Sequence, residues 1–294
     1  MTIASESESS LLPVAAERGS VYLERLARRV EAVRTTLCLG IDPDPQALPD
    51  GWPRDVSGVE RLANLLLDGA MARAAAVKIN VAFFEAYGSQ GIAALERVRA
   101  RIPADVPFIA DAKRGDIGTT VARQAAALYD VLDAHAVTAS PYLGREAIAP
   151  LLDRADRFIY VLCRTSNHGA GEIQNLDVSG EPLYIHVARS VAHWSGAQDN
   201  IGLVVGATAP TELELIRNAV PQLALLVPGV GAQGGDVDAV MRLGPAKQGQ
   251  SASVRGGGLL VNVSRGIAGA ALGSADPEAA VVAAAAHWAD TLQC

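Results

Sequence analysis

The 294-residue sequence has few cysteines and no long apolar run. Its three cysteines, Cys38, Cys163 and Cys294, are widely spaced and form no C-x-x-C pair, which excludes a disulfide framework and a cysteine zinc site. Such sparse cysteine is typical of a cytoplasmic protein. No run of about 18 apolar residues is present, so we expect no membrane-spanning helix. The first ten residues include Glu6 and Glu8 but no Lys or Arg, so we expect no secretory signal.

Basic and aromatic residues are also scarce. The sequence has 25 Lys and Arg residues against 32 Asp and Glu, a net charge of −7. We therefore expect no nucleic-acid partner, although this composition leaves room for a local basic pocket. With only three Trp, six Tyr and four Phe, the core must consist mainly of Ala, Val, Leu and Ile. Hydrophobic residues make up 50% of the chain and charged residues 19%, which excludes a mostly disordered protein.

Short apolar runs alternate with longer Ala- and Leu-rich stretches along the chain. Each run is apolar almost throughout, which is typical of strands buried on both faces of a parallel sheet. The predicted strands are 37–42, 75–80, 106–113, 134–140, 157–166, 200–207, 223–230 and 258–266. The predicted helices between and after them are 57–73, 89–101, 117–130, 145–153, 181–195, 210–219, 235–243 and 275–291. Eight such units predict a single α/β domain, a (β/α)₈ TIM barrel. The alternative is an open doubly wound sheet. A G-x-G-x-x-G motif after the first strand would favour that fold, but the sequence there reads GIDPDP.

Three segments lie outside this repeating pattern. Residues 1–34 predict an N-terminal extension, with an amphipathic helix over 16–34, before a barrel domain that spans 35–294. Two Gly-rich polar inserts, 167–182 and 244–257, are predicted to be loops. The first follows the fifth strand, on the face where barrel active sites lie. The second precedes the eighth strand on the opposite face, where we expect a role in stability or in an interface.

Charged residues cluster at the ends of the second and third predicted strands. Asp111 and Lys113 are two residues apart, so their side chains share one face of a strand, and Asp116 follows beyond the strand end. Lys78 and Asn80 share a face of the neighbouring strand. One interpretation is a structural ion-pair network at the barrel mouth. The other is a catalytic array. Buried ion pairs are costly unless they are well satisfied, so the meeting of four charged residues at one place favours this second interpretation.

The last two predicted strands end in glycine-rich turns. PGVGAQGGD at 228–236 and NVSRG at 262–266 expose backbone N–H groups, and Arg265 adds a forked donor that suits phosphate. These turns occupy the usual phosphate site of (β/α)₈ barrels, although such glycines can also serve only to make tight turns.

Asp42 and Thr120 are ambiguous. Asp42 suits either a sugar hydroxyl or a turn cap, and Thr120 suits either a phosphate contact or a helix cap.

Taken in order, these segments resemble the longer branch of the orotidine 5′-phosphate decarboxylase family. The most specific motif is Asp-x-Lys-x-x-Asp at 111–116, and LCLGIDPDP, VKIN, RTSN, PGVGAQGG and VNVSRGI match between about residues 37 and 267. The resemblance implies a (β/α)₈ barrel, a homodimer with shared active sites, no cofactor and no metal. It also implies conversion of orotidine 5′-monophosphate (OMP) to uridine 5′-monophosphate (UMP) and CO₂, the last step of de novo pyrimidine biosynthesis. The loop after the fifth strand departs from the pattern, because 167–170 reads NHGA where many long-branch sequences read NPGA.

The resemblance implies a role for each matching residue. The charged array of one subunit would comprise Lys78, Asp111 and Lys113, with Lys113 as the proton donor. The partner subunit would supply Asp116 and Thr120. The implied contacts are Asp42 with the ribose, Ser166 with the pyrimidine, and Gln233 and Arg265 with the phosphate. The other expected substrate-binding residues are Asn80, Gly234 and Gly266.

Three other functions compete with this interpretation. A Mg²⁺-dependent decarboxylase of a sugar phosphate can use the same Asp-x-Lys-x-x-Asp frame, but RTSN and PGVGAQGG argue against it. A Schiff-base aldolase using Lys78 or Lys113 would need a desolvated lysine of low pKa, and flanking carboxylates have the opposite effect. A non-catalytic nucleotide-binding barrel would not need the complete charged array.

Overall fold

The computed structural model describes residues 20–195, 199–208, 210–231 and 234–294. Parallel strands form a closed barrel in which each strand pairs with its neighbours in sequence and the last pairs with the first. These strands are β1 Leu37–Ile41, β2 Ala76–Asn80, β3 Phe108–Arg114, β4 Ala136–Ala139, β5 Phe158–Arg164, β6 Ile201–Val205, β7 Ala224–Pro228 and β8 Leu259–Val263. The predicted (β/α)₈ barrel is confirmed, and its strands differ from the predicted ones only at their ends.

Helices surround the barrel and bury its outer face. The longer ones are α1 Val21–Val33, α2 Val56–Ala70, α3 Gly88–Ala100, α4 Gly118–Ala125, α5 Leu183–Trp194, α6 Pro210–Ala219, α7 Val237–Leu243 and α8 Pro277–Thr291. Shorter α-helices span Ala82–Glu85, Ala149–Leu152, Ala170–Gln174, Gly249–Ser253 and Arg265–Ala268. A π-helical turn extends α4 over Ala126–Val131, and 3₁₀ turns occupy Met71–Arg73, Arg145–Ile148 and Gly269–Ala271. No helix in the described part of the chain is long and apolar enough to cross a membrane.

Helix α1 closes the N-terminal end of the barrel. Ser20 caps it by accepting a hydrogen bond from the Leu23 N–H, and its buried side chains belong to the same core as the inward residues of the strands. The Tyr22 ring stacks on Phe158 at 4.7 Å between ring centroids and meets Tyr160 edge-on at 6.0 Å. Because aromatic side chains bury large apolar areas, this cluster fills the barrel floor and leaves the opposite end for a ligand. Of the predicted helix 16–34, residues 16–19 lie outside the described residues.

The prediction that both inserts are loops was wrong. The insert 167–182 contains the helix Ala170–Gln174 and a hairpin of Asp177–Val178 with Glu181–Pro182, and 244–257 contains Gly249–Ser253. Helices of five residues are too short to show the apolar periodicity on which sequence prediction relies. The second insert contacts α1 at the N-terminal end of the barrel, where Gln250 accepts a hydrogen bond from the Ser20 N–H at 2.7 Å.

Candidate active site

A cavity of about 520 Å³ opens at the carboxyl ends of the strands. This is the end of a (β/α)₈ barrel at which active sites are found. The sequence-predicted site residues that line it are Asp42, Lys78, Asn80, Asp111, Lys113, Ser166 and Arg265. The fold thus brings together residues from five different strands or the segments that directly follow them.

Asp111 is the centre of a charged network in this cavity. Its two carboxylate oxygens accept hydrogen bonds from Lys78 Nζ at 2.8 Å and from Lys113 Nζ at 2.6 Å. Thr138 Oγ1 donates a third hydrogen bond to Asp111 at 2.8 Å, and Asp42 forms an ion pair with Lys78 at 3.6 Å. Within the described residues, no group of three His, Cys, Asp or Glu side chains could hold a metal ion. Both cavity carboxylates instead contact a lysine.

Burial and charge oppose each other at this network. Burial alone would raise the pKa of Asp111, but the ammonium groups of Lys78 and Lys113 outweigh it and hold that pKa well below its usual range. Burial alone would lower the pKa of Lys78, but Asp42 and Asp111 outweigh it and hold that pKa above its ordinary value. Asp111 and Lys78 are therefore both ionised at neutral pH. Lys113 differs from Lys78 because half of its side-chain surface is exposed to the cavity mouth, against 5% for Lys78.

The backbone at Lys113 departs from regular strand geometry. Lys113 has a φ of +48°, and the pairing of β3 with β4 shifts register between Ala110 and Arg114. The Lys113 N–H donates instead to Thr138 Oγ1 at 2.9 Å. A non-glycine residue with positive φ costs of order 1–3 kcal/mol, and such residues cluster at functional sites. Thr138 compensates by satisfying both the displaced backbone N–H and the Asp111 carboxylate.

The inner wall beside Asp42 contains buried polar atoms without hydrogen-bond partners among the described residues. They are Asp42 Oδ1, Asn262 Oδ1 and Ser264 Oγ. Gly40 makes room for them, because a Cβ at this position would lie 2.8 Å from both Asn262 Oδ1 and Ser264 Cβ. Buried polar atoms are usually hydrogen-bonded in proteins, so this wall is suited to a ligand with several hydroxyl groups.

This chain is similar to one family of known proteins along most of its length. The model of the orotidine 5′-phosphate decarboxylase / HUMPS family matches residues 35–284. The orotidine 5′-phosphate decarboxylase of Herpetosiphon aurantiacus is 42% identical over 88% of this chain and 94% of its own. That of Halorubrum lacusprofundi is 44% identical over 92% and 97%, respectively. The solved structure of Leishmania donovani OMP decarboxylase has a TM-score of 0.77 and 35% identity, over 92% of this chain and 98% of that one.

This chain belongs to the orotidine 5′-phosphate decarboxylase family. The resemblance inferred from the ordered strand-end motifs is thereby confirmed. For this family member, the structure also shows which of the predicted site residues lie away from the cavity.

Asp116 and Thr120 lie outside the described lining of the cavity in their own subunit. Asp116 follows the end of β3, and its Oδ1 accepts a hydrogen bond from the Ile117 N–H at 2.7 Å. Thr120 is exposed in the first turn of α4. The large side chains of Ile117 and Tyr142 nearby on this end of the barrel are 65% and 83% exposed. Among the described residues of the single chain, Lys113 forms an ion pair with Asp111 and none with Asp116.

The glycine-rich residues of the predicted phosphate site are only partly described. Arg265 lines the cavity, whereas Gly266 packs against Trp288, whose Nε1 donates to the Gly266 carbonyl at 3.3 Å. Gly234 adopts a φ of +74° in the turn after β7 and is exposed. Gln233 lies outside the described residues.

Several cavity residues were not predicted from the sequence. Thr138 follows the apolar pattern of β4 as a β-branched residue, so nothing in the sequence distinguishes it from a packing residue. Asn262 carried a usable signal, because an amide in the middle of the apolar run LLVNV needs a polar partner. Gln174 lines the cavity from the insert after β5, which was predicted to have no regular structure.

Proposed function

We propose that the cavity binds OMP with C6 of its pyrimidine ring beside Lys113, and that Lys113 protonates C6 after CO₂ departs. Decarboxylation of OMP to UMP, the last step of UMP biosynthesis, is the activity for which this family is named, and the protein is accordingly a carboxy-lyase. The observation that carries the proposal is the position of Lys113, whose side chain is half-exposed at the cavity mouth and whose Nζ lies 2.6 Å from Asp111.

The reaction needs a positive charge and a proton donor at the same place, beside C6 of the pyrimidine. The bond between C6 and the carboxylate breaks, CO₂ leaves, and the electron pair stays on C6 as a carbanion. A Lys113 ammonium beside C6 would stabilise this negative charge and then transfer one N–H proton to C6, leaving a neutral amine that recovers its proton from solvent. Because one side chain supplies both the charge and the proton, this scheme uses no cofactor and no metal.

Asp111 has two parts in this proposal. It fixes the position of the Lys113 ammonium, and its own placement is fixed by Lys78 and Thr138. A preorganised array of this kind needs no rearrangement during the reaction, which is the main source of electrostatic catalysis. The substrate carboxylate would also lie near Asp111, and its repulsion from Asp111 would be relieved as CO₂ leaves.

The remaining lining residues divide the cavity into regions for the parts of the nucleotide. The ribose would occupy the wall with Asp42 and Asn80, whose carboxylate and amide oxygens accept hydroxyl hydrogen bonds. Ser166 would contact the pyrimidine from the segment after β5. Arg265 would bind the phosphate together with Gln233, Gly234 and Gly266. Binding energy from the remote phosphate would then orient the ring against Lys113.

Replacing Arg265 with alanine tests the assignment of the phosphate region. We expect kcat/KM for OMP to fall by about 10- to 100-fold, mainly through KM, because a charge-assisted contact to the phosphate is lost. Turnover of orotidine, which has no phosphate, should be the same in the variant and the wild type. Steady-state kinetics with both substrates measures this difference.

A matched control for this variant is Arg242→Ala, since Arg242 is exposed on α7, away from the cavity lining. The control should leave both substrates unaffected. An unchanged kcat/KM for OMP in Arg265→Ala would disprove the phosphate assignment.

We also infer a homodimer in which Asp116 and Thr120 of each subunit complete the site of the other. The inference is supported by the absence of Asp116 from the described lining of its own cavity and by the exposed side chains of Ile117, Tyr142 and Leu143 at the same end of the barrel. Exposed apolar side chains of this size commonly mark protein interfaces. In the dimer, Asp116 would lie beside Lys113 and provide the fourth member of the charged array.

Cysteine chemistry supports a cytoplasmic location. Cys38, Cys163 and Cys294 are free thiols, and the first two are buried in the barrel. Free thiols persist in the reducing cytosol.

A further inference from the structure

All polar atoms of Thr165, the residue before Ser166, are held by hydrogen bonds. Its N–H donates to Gln174 Oε1 at 2.9 Å, and its Oγ1 accepts from Gln174 Nε2 at 2.8 Å. The same hydroxyl donates to Asn167 Oδ1 at 2.6 Å. Its carbonyl accepts from Arg164 Nη1, also at 2.6 Å. A single amide side chain therefore contacts both the backbone and the hydroxyl of Thr165.

Gln174 is itself fixed by the fold of the insert. It is the last residue of the helix Ala170–Gln174, which starts with a hydrogen bond from the Ala170 N–H to the Asn167 carbonyl at 3.1 Å. Ala170 is buried, and the Leu183 N–H donates to the Leu176 carbonyl at 2.8 Å, which ties the segment just after the short helix to the start of α5. The insert is thus a short structured element packed on the barrel.

Arg164 holds Thr165 from the opposite side. Its guanidinium is mostly buried, donates to the Thr165 carbonyl, and lies 3.5 Å from the Glu212 carboxylate at the start of α6. Thr165 is therefore held between α6 on one side and the insert on the other. Thr165, Ser166, Asn167 and Gln174 all line the cavity wall at this point.

We propose that Gln174 is a positioning residue that holds the Thr165–Asn167 turn so that Ser166 meets the pyrimidine ring. The inference rests on the proposed contact between Ser166 and the pyrimidine. A side chain misplaced by about 1 Å can lower the rate by about 100-fold, so fixing Thr165 through two hydrogen bonds has a direct effect on the next residue. The insert after β5 thereby gains a function in recognition of the base, and not of the ribose or the phosphate.

The test uses Gln174→Ala with Glu172→Ala as its matched control, because Glu172 is an exposed residue of the same short helix. We expect kcat/KM for OMP to fall by about 10- to 100-fold in Gln174→Ala and to stay unchanged in the control. Competitive inhibition by UMP should weaken in the variant. Inhibition by ribose 5-phosphate, which has no pyrimidine, should remain within about twofold of the wild type.

Gln174→Glu keeps an acceptor for the Thr165 N–H and should recover part of the lost kcat/KM. If both inhibitors weaken equally in Gln174→Ala, the insert has only a structural role and the proposal is wrong. An unchanged kcat/KM in Gln174→Ala would also overturn it.

A double-mutant cycle separates this inference from the contact on which it rests. If Gln174 acts through Ser166, the variant lacking both side chains should be little worse than Ser166→Ala alone. If Ser166→Ala lowers kcat/KM and the two effects multiply, Gln174 acts independently of Ser166 and the inference fails. If Ser166→Ala has no effect, the pyrimidine contact itself is wrong.

Discussion

Lys113→Ala is expected to lower kcat for OMP by at least about 10⁴-fold, because it removes both the proton donor and the positive charge beside C6. The change in ultraviolet absorbance on conversion of OMP to UMP measures this loss. The folded state should survive, since half of the Lys113 side-chain surface is exposed and Asp111 keeps its contacts with Lys78 and Thr138. The thermal unfolding midpoint checks this second expectation.

Lys247→Ala is the matched control for this experiment. Lys247 is the third and last lysine of the sequence and is exposed in the segment before β8, at the other end of the barrel. Its replacement should leave kcat unchanged. If Lys113→Ala kept activity within about tenfold of the wild type, general-acid catalysis by this residue would be refuted.

The distribution of lysine agrees with the need of the reaction for a proton that can be transferred to C6. Basic residues elsewhere in the chain are almost all arginine, and two of the three lysines lie in the cavity. Arginine holds its proton too tightly to act as an acid, whereas an ammonium can transfer one. The cavity thus uses lysine where a proton must be transferred to C6 and arginine where a phosphate must be bound.

Mixing inactive Lys113→Ala and Asp116→Ala dimers is expected to restore about one quarter of the wild-type activity. With random exchange of subunits, half of the dimers are hybrids, and each hybrid contains one site with both Lys113 and Asp116 intact. The other site of the hybrid lacks both residues. The activity of the mixture, measured over time after mixing, reports this restoration against a very low background.

The controls establish that subunits have exchanged. Each inactive variant incubated alone should stay inactive, and differently tagged subunits should be recovered together from the mixture. Exchange without any gain of activity would show that Asp116 acts within its own subunit or not at all.

The sequence predicted the parts of the site that follow from strand periodicity. Asp42, Lys78 and Asp111 were recognisable because they are charged residues at the ends of apolar strands, where a charge indicates an ion-pair network or a function. The structure places all three in the cavity. The eight apolar runs likewise predicted the barrel, because strands buried on both faces are continuous in hydrophobicity.

Other features of the site depend on tertiary contacts, which a local sequence pattern cannot predict. The positive φ of Lys113 is sustained by Thr138 on the neighbouring strand, and the sequence at 111–116 contains no sign of it. Gln174 lies nine residues from Thr165 in a polar segment, where a five-residue helix and a turn cannot be told apart by composition. The position of Asp116 relative to a second subunit is also not encoded in the periodicity of one chain.

We expect this chain to decarboxylate OMP with its own side chains. The most direct test mixes purified protein with OMP in the presence of EDTA and follows the ultraviolet change on formation of UMP. The expected result is rapid turnover that EDTA does not reduce. Absence of turnover on OMP, with Mg²⁺-dependent decarboxylation of a sugar phosphate in its place, would contradict it. Tight binding of UMP without any turnover of OMP would contradict it equally.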